Sequence, residues 1–234
     1  MSFKQFKALT FDVVGTLIDF EAGILAHVRE VAGDAGKACS DDDILAAYRE
    51  ARASTESGWW PDDLERCYHV MAAKLGLPDN DDHAKGLAQA VRNFPAFPDS
   101  VEALKRLRKH FKLVATTNSQ LWALNHMAET LAQPFDVRVT VDDVRFEKPD
   151  PQFFAYTRGV LATQGILFED ILHVAQSQYH DIGVAMRLGY QTCWIERRFD
   201  KKGTGGTLES ERTEPHYHFT SLAQLADAVE KELG

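Results

Sequence analysis

The sequence predicts an α/β protein: a Rossmann-like parallel-sheet core with an inserted all-helical cap. Three observations lead there. From residue 100 onward, short apolar runs alternate with helical stretches, the pattern of a parallel sheet covered by helices on both faces. One earlier apolar run, 7–13, precedes a block at about 20–94 that has helical periodicity and no strand pattern. The turn-rich FPAFP at 94–98 separates that block from the rest. The expected division is residues 1–18 and 96–234 for a discontinuous core, and 19–95 for the cap.

Taken in order, Lys7 to Val13 is nearly continuous in apolar residues, as expected of a strand buried on both faces. Asp19 to Val31 carries Ile24, Leu25 and Val28 at helical spacing. Ser40 is a suitable N-cap for DDDILAAYREARAS, whose first-turn acids suit the helix dipole. Pro61-Asp62 opens a further helix that stops at Gly76, with Pro78 just beyond, and 81–92 can form another. In the core, helices are expected at 100–110, 119–131, 151–161 and 179–188. Strands are expected at 111–116, 136–141, 171–175, 191–195 and 216–219, and Ser221 caps a terminal helix. Residues 197–215, with Gly203, Gly205 and Gly206, read as an exposed flexible loop. The G-T-G-G run there does not join a strand to a helix, so it does not read as a phosphate cradle.

The bulk properties exclude several functions. The 234 residues carry 26 Lys and Arg against 35 Asp and Glu, a net charge of −9. That balance argues against nucleic acid, whose binding rests on clustered cations. It leaves room for a small anionic substrate bound by a buried Arg. No apolar run approaches the length of a membrane span, and the first residues lack a secretory signal. Cys39, Cys67 and Cys193 are widely spaced, which supports neither a disulfide framework nor a zinc site. A reduced, cytoplasmic location is expected.

Four sites of chemistry follow apolar runs: Asp12 with Thr16, Thr117-Asn118, Lys148-Pro149, and Asp181. In a parallel sheet such strand ends converge on one crevice. A carboxylate, a hydroxyl, an ammonium and a second carboxylate meeting there make a nucleophile site. Each residue taken alone also has a structural reading: helix cap, surface ion pair, packing.

In this order the motifs resemble those of the haloacid dehalogenase superfamily, and the resemblance covers essentially the whole chain. D-x-x-G-T-L at 12–17, T-N at 117–118, E-K-P-D at 147–150 and HVAQSQYHD at 173–181 look like its four motifs, and the helical insertion looks like its first type of cap. Two departures separate this chain from the superfamily's magnesium-dependent phosphatases. Val14 stands where those carry a proton-relaying aspartate. Ala175 and Gln176 stand where they carry Gly-Asp, the aspartate being a metal ligand. Both departures match the 2-haloacid dehalogenase branch, which needs no metal or cofactor.

That resemblance implies a short 2-haloacid as substrate and Asp12 as nucleophile. Lys148 would hold Asp12, Asp181 would orient Lys148 and help activate water, and Thr16 and Thr117 would bind the carboxylates. Arg49, following Tyr48 on the second cap helix, would receive the halide together with the Asn118 amide. Val14, Trp59 and Trp60 would supply apolar walls, and Ser177 and Gln178 would shape the water pocket. Branch members have Tyr six residues after the lysine, where this chain has Phe154. They have Ser and Asn shortly before the last aspartate, where it has Gln176, Ser177 and Gln178, and His180 is also unusual. These differences bear on the substrate and leaving group, down to one as small as fluoride. The branch is often dimeric, so a homodimer is compatible. Three alternatives stay open: a hydrolase of another small 2-substituted or strained cyclic acid, a phosphatase or phosphonatase (the latter using a cap lysine such as Lys37, Lys74 or Lys85), and a non-catalytic binding protein.

Overall fold

The computed structural model describes residues 2–234. Six strands form one sheet: β1 (Ala8–Phe11), β2 (Lys112–Thr117), β3 (Val137–Thr140), β4 (Ile171–Ala175), β5 (Gln191–Ile195) and β6 (Tyr217–Phe219). Their order is β3-β2-β1-β4-β5-β6, every neighbouring pair parallel. Residues of β1, β2 and β4 are almost all fully buried, which explains their unbroken apolar runs. The chain moves from β1 outward to β3 and then returns to the other side of β1. The order therefore switches between β1 and β4, and a crevice opens beyond their C-terminal ends.

The segment between β1 and β2 contributes only helices up to residue 107: α1 (Phe20–Val31), α2 (Gly33–Ala38), α3 (Asp41–Arg52), α4 (Leu64–Leu75), α5 (Asp81–Ala90) and α6 (Ser100–Leu107). The expected caps form. Asp19 accepts from Ala22 N and Ser40 from Asp43 N, and Gly76 ends α4 in the left-handed region at φ 67°. In the core, α7 (Leu121–Thr130), α8 (Val141–Val144), α9 (Pro151–Ala162), α10 (Gly183–Arg187) and α11 (Leu222–Leu233) complete the fold. Short α2 and α8 have no signal in the sequence, because neither shows a full helical period.

Two segments depart from expectation. The helix expected at 179–188 starts instead as a single π-helical turn, Gln178–Ile182, before α10. That widened turn aims Asp181 into the crevice. The loop expected to be exposed and flexible is partly packed: Gly205 and Gly206 are buried against the cap. A Cβ on Gly206 would stand 2.8 Å from Phe20 and 3.1 Å from Tyr48, so the close approach requires glycine. The largest apolar cluster runs without interruption from Leu9 and Leu113 of the sheet to Ile24, Leu64 and Met71 of the helical block. The helical block and the sheet thus share one apolar core.

Candidate active site

Asp12 is the first residue past β1. Its N–H still bonds Val174 O of β4 at 3.1 Å, which sets its carboxylate at the sheet's C-terminal edge. The following turn places Gly15 at φ 92°, a conformation costly for other residues. That turn brings Thr16 back beneath Asp12, and its hydroxyl donates to Oδ2 at 2.6 Å. Gln176 N in turn donates to Thr16 Oγ1 at 2.8 Å, joining the ends of β1 and β4.

Lys148 lies in the loop between α8 and α9 and is 2% exposed. Its Nζ donates to Asp12 Oδ1 at 2.9 Å, Asp181 Oδ1 at 2.6 Å and Thr116 O at 2.8 Å. All three ammonium protons are therefore used. Burial alone would lower the Lys148 pKa, but Asp12 and Asp181 outweigh it and hold the charge. Burial raises the Asp12 pKa against the pull of Lys148 and Thr16. Burial would also raise that of Asp181, yet Lys148 and His173 hold it at about 2. Asp181 accepts both of its bonds on Oδ1, and its buried Oδ2 has no partner.

A cavity of about 370 Å³ opens over this cluster. Its polar floor includes Asp12, Lys148, Asp181 and Thr117, and its walls include Val14, Phe20, Tyr48, Trp60 and Leu208. Ser177 also faces it, capping the π-turn by accepting from His180 N at 2.9 Å. Val14 thus puts an aliphatic side chain, which can relay no proton, into the cavity beside Asp12.

Several expected site residues are placed differently. Arg49 does not line the cavity. It donates to Gly205 O at 2.5 Å and Thr204 Oγ1 at 3.2 Å, and pairs with Glu209 at 3.4 Å. Asn118 lines the cavity but its amide is clasped to a backbone: Lys148 N donates to Oδ1 at 2.7 Å and Nδ2 donates to Lys148 O at 2.9 Å. It acts as a splint for Lys148, with one amide proton left over. Trp59 stays outside the cavity and stacks under the Arg145 guanidinium at 5.1 Å. Gln178 also turns away, accepting from Thr213 N at 2.9 Å. Trp60, by contrast, lies in the wall, where the chain docks on the end of β2 through Gln120 N to Trp60 O at 2.8 Å.

The structure also brings into the site residues that the motifs do not mark. Arg52, four residues after Tyr48, shares its helix face and enters the cavity. It donates to Asp63 Oδ2 at 2.5 Å and Gly58 O at 2.8 Å, and stands 3.6 Å from Glu147. Asp63 is further held by a two-point bond from Arg66 at 2.7 and 2.8 Å. Burial raises the Glu147 pKa, with Arg52 opposing. The helical repeat Tyr48–Arg52 was the available signal for Arg52. His173 is the other: it sits inside β4, 1% exposed, and binds Asp181. A histidine within an apolar strand was its only mark. His180 also lines the cavity, with its Nδ1 3.1 Å from Ser177 Oγ, and burial pushes its pKa down to about 4.

Among the described residues, no group of three or more His, Cys, Asp or Glu is arranged to hold a metal ion. The carboxylates of Asp12 and Asp181 are both bonded to Lys148, and Gln176 Oε1 accepts from Thr207 at 3.3 Å. No helix among them is long and apolar enough to cross a membrane.

A parallel sheet with its switch point at β1/β4, a buried Asp-Lys-Asp cluster there and a cavity above it are the architecture of a Rossmann-like α/β hydrolase. The chain belongs to the haloacid dehalogenase-like hydrolase family, whose model matches residues 6–185. It is 24% identical over 240 residues to (S)-2-haloacid dehalogenase 4A of Burkholderia cepacia, covering 97% of this chain and 96% of that one. It is 26% identical over 243 residues to the (S)-2-haloacid dehalogenase of Pseudomonas sp. strain YL, covering 97% and 96%. Its fold matches L-2-haloacid dehalogenase from Xanthobacter autotrophicus with a TM-score of 0.75 at 20% identity, covering 96% and 98%.

Proposed function

We propose that this hydrolase removes halide from short 2-haloalkanoic acids, without a metal, through an ester on Asp12. One observation carries the reading. The Asp12 carboxylate is held at both oxygens by Thr16 and Lys148, while aliphatic Val14 stands beside it in the cavity. A carboxylate so fixed and largely removed from water is oriented for attack on carbon. A halide leaves with its bonding electrons and needs no proton, so an aliphatic residue at position 14 suffices. Two relatives matched across nearly their full length are named (S)-2-haloacid dehalogenases, which supports the reading. One structure matched to the same extent is of a superfamily member from Bacillus subtilis bound to magnesium, so the presence of EDTA in the assay is essential. The Xanthobacter enzyme is also described with chloropropionic acid covalently bound.

In this reading an Asp12 oxygen attacks C2, the new C–O bond forms as the carbon–halide bond breaks, and the halide departs. Arg52, the guanidinium that reaches the cavity, takes the anion-binding role in place of Arg49. Water then adds to the Asp12 carbonyl carbon. The unpartnered Asp181 Oδ2 is a ready acceptor for that water's proton, and Lys148 offsets the charge that develops on the carbonyl oxygen. Collapse releases the 2-hydroxy acid and restores the Asp12 carboxylate, with one proton passing to solvent.

The cavity gives a second reading some weight. At about 370 Å³ it has room for C2 substituents larger than methyl, so longer or aryl-bearing 2-substituted acids belong in the test panel. The phosphonatase alternative has no support from the cap, since Lys37, Lys74 and Lys85 all lie outside the cavity. The test is halide release from chloro-, bromo- and fluoroacetate and from both enantiomers of 2-chloropropionate, with EDTA present. Single turnover in ¹⁸O water should label the Asp12 peptide. An unlabelled Asp12, or a phosphatase activity that EDTA abolishes, would overturn the proposal.

A further inference from the structure

Asp181 is asymmetric. Oδ1 receives both Lys148 Nζ at 2.6 Å and His173 Nε2 at 3.0 Å, while Oδ2 is buried and bare. Lys148 alone does not fix that asymmetry. Its ammonium is also shared with Asp12 and Thr116 O, and a carboxylate held at one point can turn about its Cβ–Cγ bond. The second point is His173. It faces Thr10 across the β1–β4 ladder, and its Nδ1 lies 2.9 Å from Thr10 Oγ1. Thr10 is itself 1% exposed, and its hydroxyl has no other side-chain partner. A hydroxyl donating to Nδ1 puts the ring proton on Nε2, where it donates to Asp181. The ring plane is further fixed by Phe154 and Tyr190, edge-on at 5.4 and 6.3 Å.

We propose that Thr10 and His173 are a positioning pair that turns Asp181 so that its Oδ2 faces the water hydrolysing the Asp12 ester. The inference rests on the ester reading given above. It is specific to one half of the reaction. Neither residue lines the cavity, so neither meets the 2-haloacid, and displacement of halide by Asp12 does not call on Asp181 Oδ2. Water addition does. Phe154, lacking a hydroxyl of its own, contributes here as a ring wall for His173.

The experiment compares wild type with His173→Phe, His173→Gln and Thr10→Val on 2-chloropropionate, separating the first-turnover halide burst from steady-state turnover. Intact-protein mass measures the Asp12 adduct. Gln is the conservative variant, because its Nε2–H reaches nearly as far as that of the imidazole. For His173→Phe the burst should stay near one halide per site at close to the wild-type rate. Turnover should fall about 10²-fold, the order set by misplacing a reacting group, and the adduct should accumulate. His173→Gln should recover most of the turnover, and Thr10→Val should show a smaller loss of about 3- to 10-fold with the same adduct. Unchanged turnover in His173→Phe overturns the pair. So does a parallel loss of burst and turnover that Gln does not restore, the mark of a packing defect. Failure of the ester reading is distinguished by wild type itself, which would then show neither a burst adduct nor ¹⁸O in Asp12.

Discussion

Replacing Lys148 with Met is the most severe test of the charge arrangement. Met fills much the same volume but cannot donate a hydrogen bond. The ammonium stands 2.9 Å from Asp12 and 2.6 Å from Asp181. At an effective dielectric constant of about 20, each pair is worth about 6 kcal/mol of attraction. Burying three charges offsets much of that, so the net cost of breaking the cluster should be about 3–5 kcal/mol of stability. Two carboxylates then face each other in an apolar surround, and one must take up a proton. At neutral pH that removes the charge on Asp12 in a large fraction of molecules, and in the proposed ester mechanism the support for the developing oxyanion is lost with it. Turnover should drop by about 10³-fold or more at pH 7 and rise steeply toward pH 9 as the shared proton leaves. Halide release followed from pH 6 to 10, with thermal melting on the same samples, reads both effects. Turnover within about tenfold of wild type at pH 7, or a pH profile parallel to wild type, would refute the electrostatic role of Lys148.

The remaining predictions concern the cap and the pH response. Arg52→Gln should raise KM for an anionic substrate by about 10-fold or more, while Arg49→Gln should change KM by less than about threefold, because only Arg52 reaches the cavity; steady-state kinetics on both variants checks this. Gly206→Ala drives a methyl to 2.8 Å from the Phe20 ring and should cost about 1–3 kcal/mol and weaken substrate binding, read by melting and KM. Stability should fall as pH drops from 6.5 to about 4, because the unfolded chain protonates His180 there and the folded one does not. This slope, up to about 3 kcal/mol in total, should flatten in His180→Asn when melting is followed against pH. Asp181 adds a second loss below pH 3.8, complete near pH 2, since its charged form is the one the fold holds.

What the chain alone determined was the sheet, the helical character of the segment between β1 and β2, and the motif skeleton. These are written locally. Apolar runs of strand length make β1 and β4, Ser40 and Asp19 cap helices within three residues of themselves, and Asp12, Lys148 and Asp181 each follow an apolar run or a turn. What tertiary structure decided was where side chains point once distant segments meet. Arg49 and Arg52 differ by three positions on one helix, and only the packing of α3 over the crevice shows which of them enters it. The Asn118 amide is committed to Lys148, 30 residues away, by a backbone clasp that no spacing announces. His173 acquires its role because Thr10, 163 residues earlier, lies opposite it across a ladder. The glycine loop near 205 is soluble-looking in sequence, yet it packs because Glu21 accepts Gly206 N and Arg49 holds Gly205 O. Periodicity reports the face a residue turns to its own helix or strand. Hydrogen-bond partners and cavity walls come from segments far apart in the chain, and only folding brings them within three ångströms of one another.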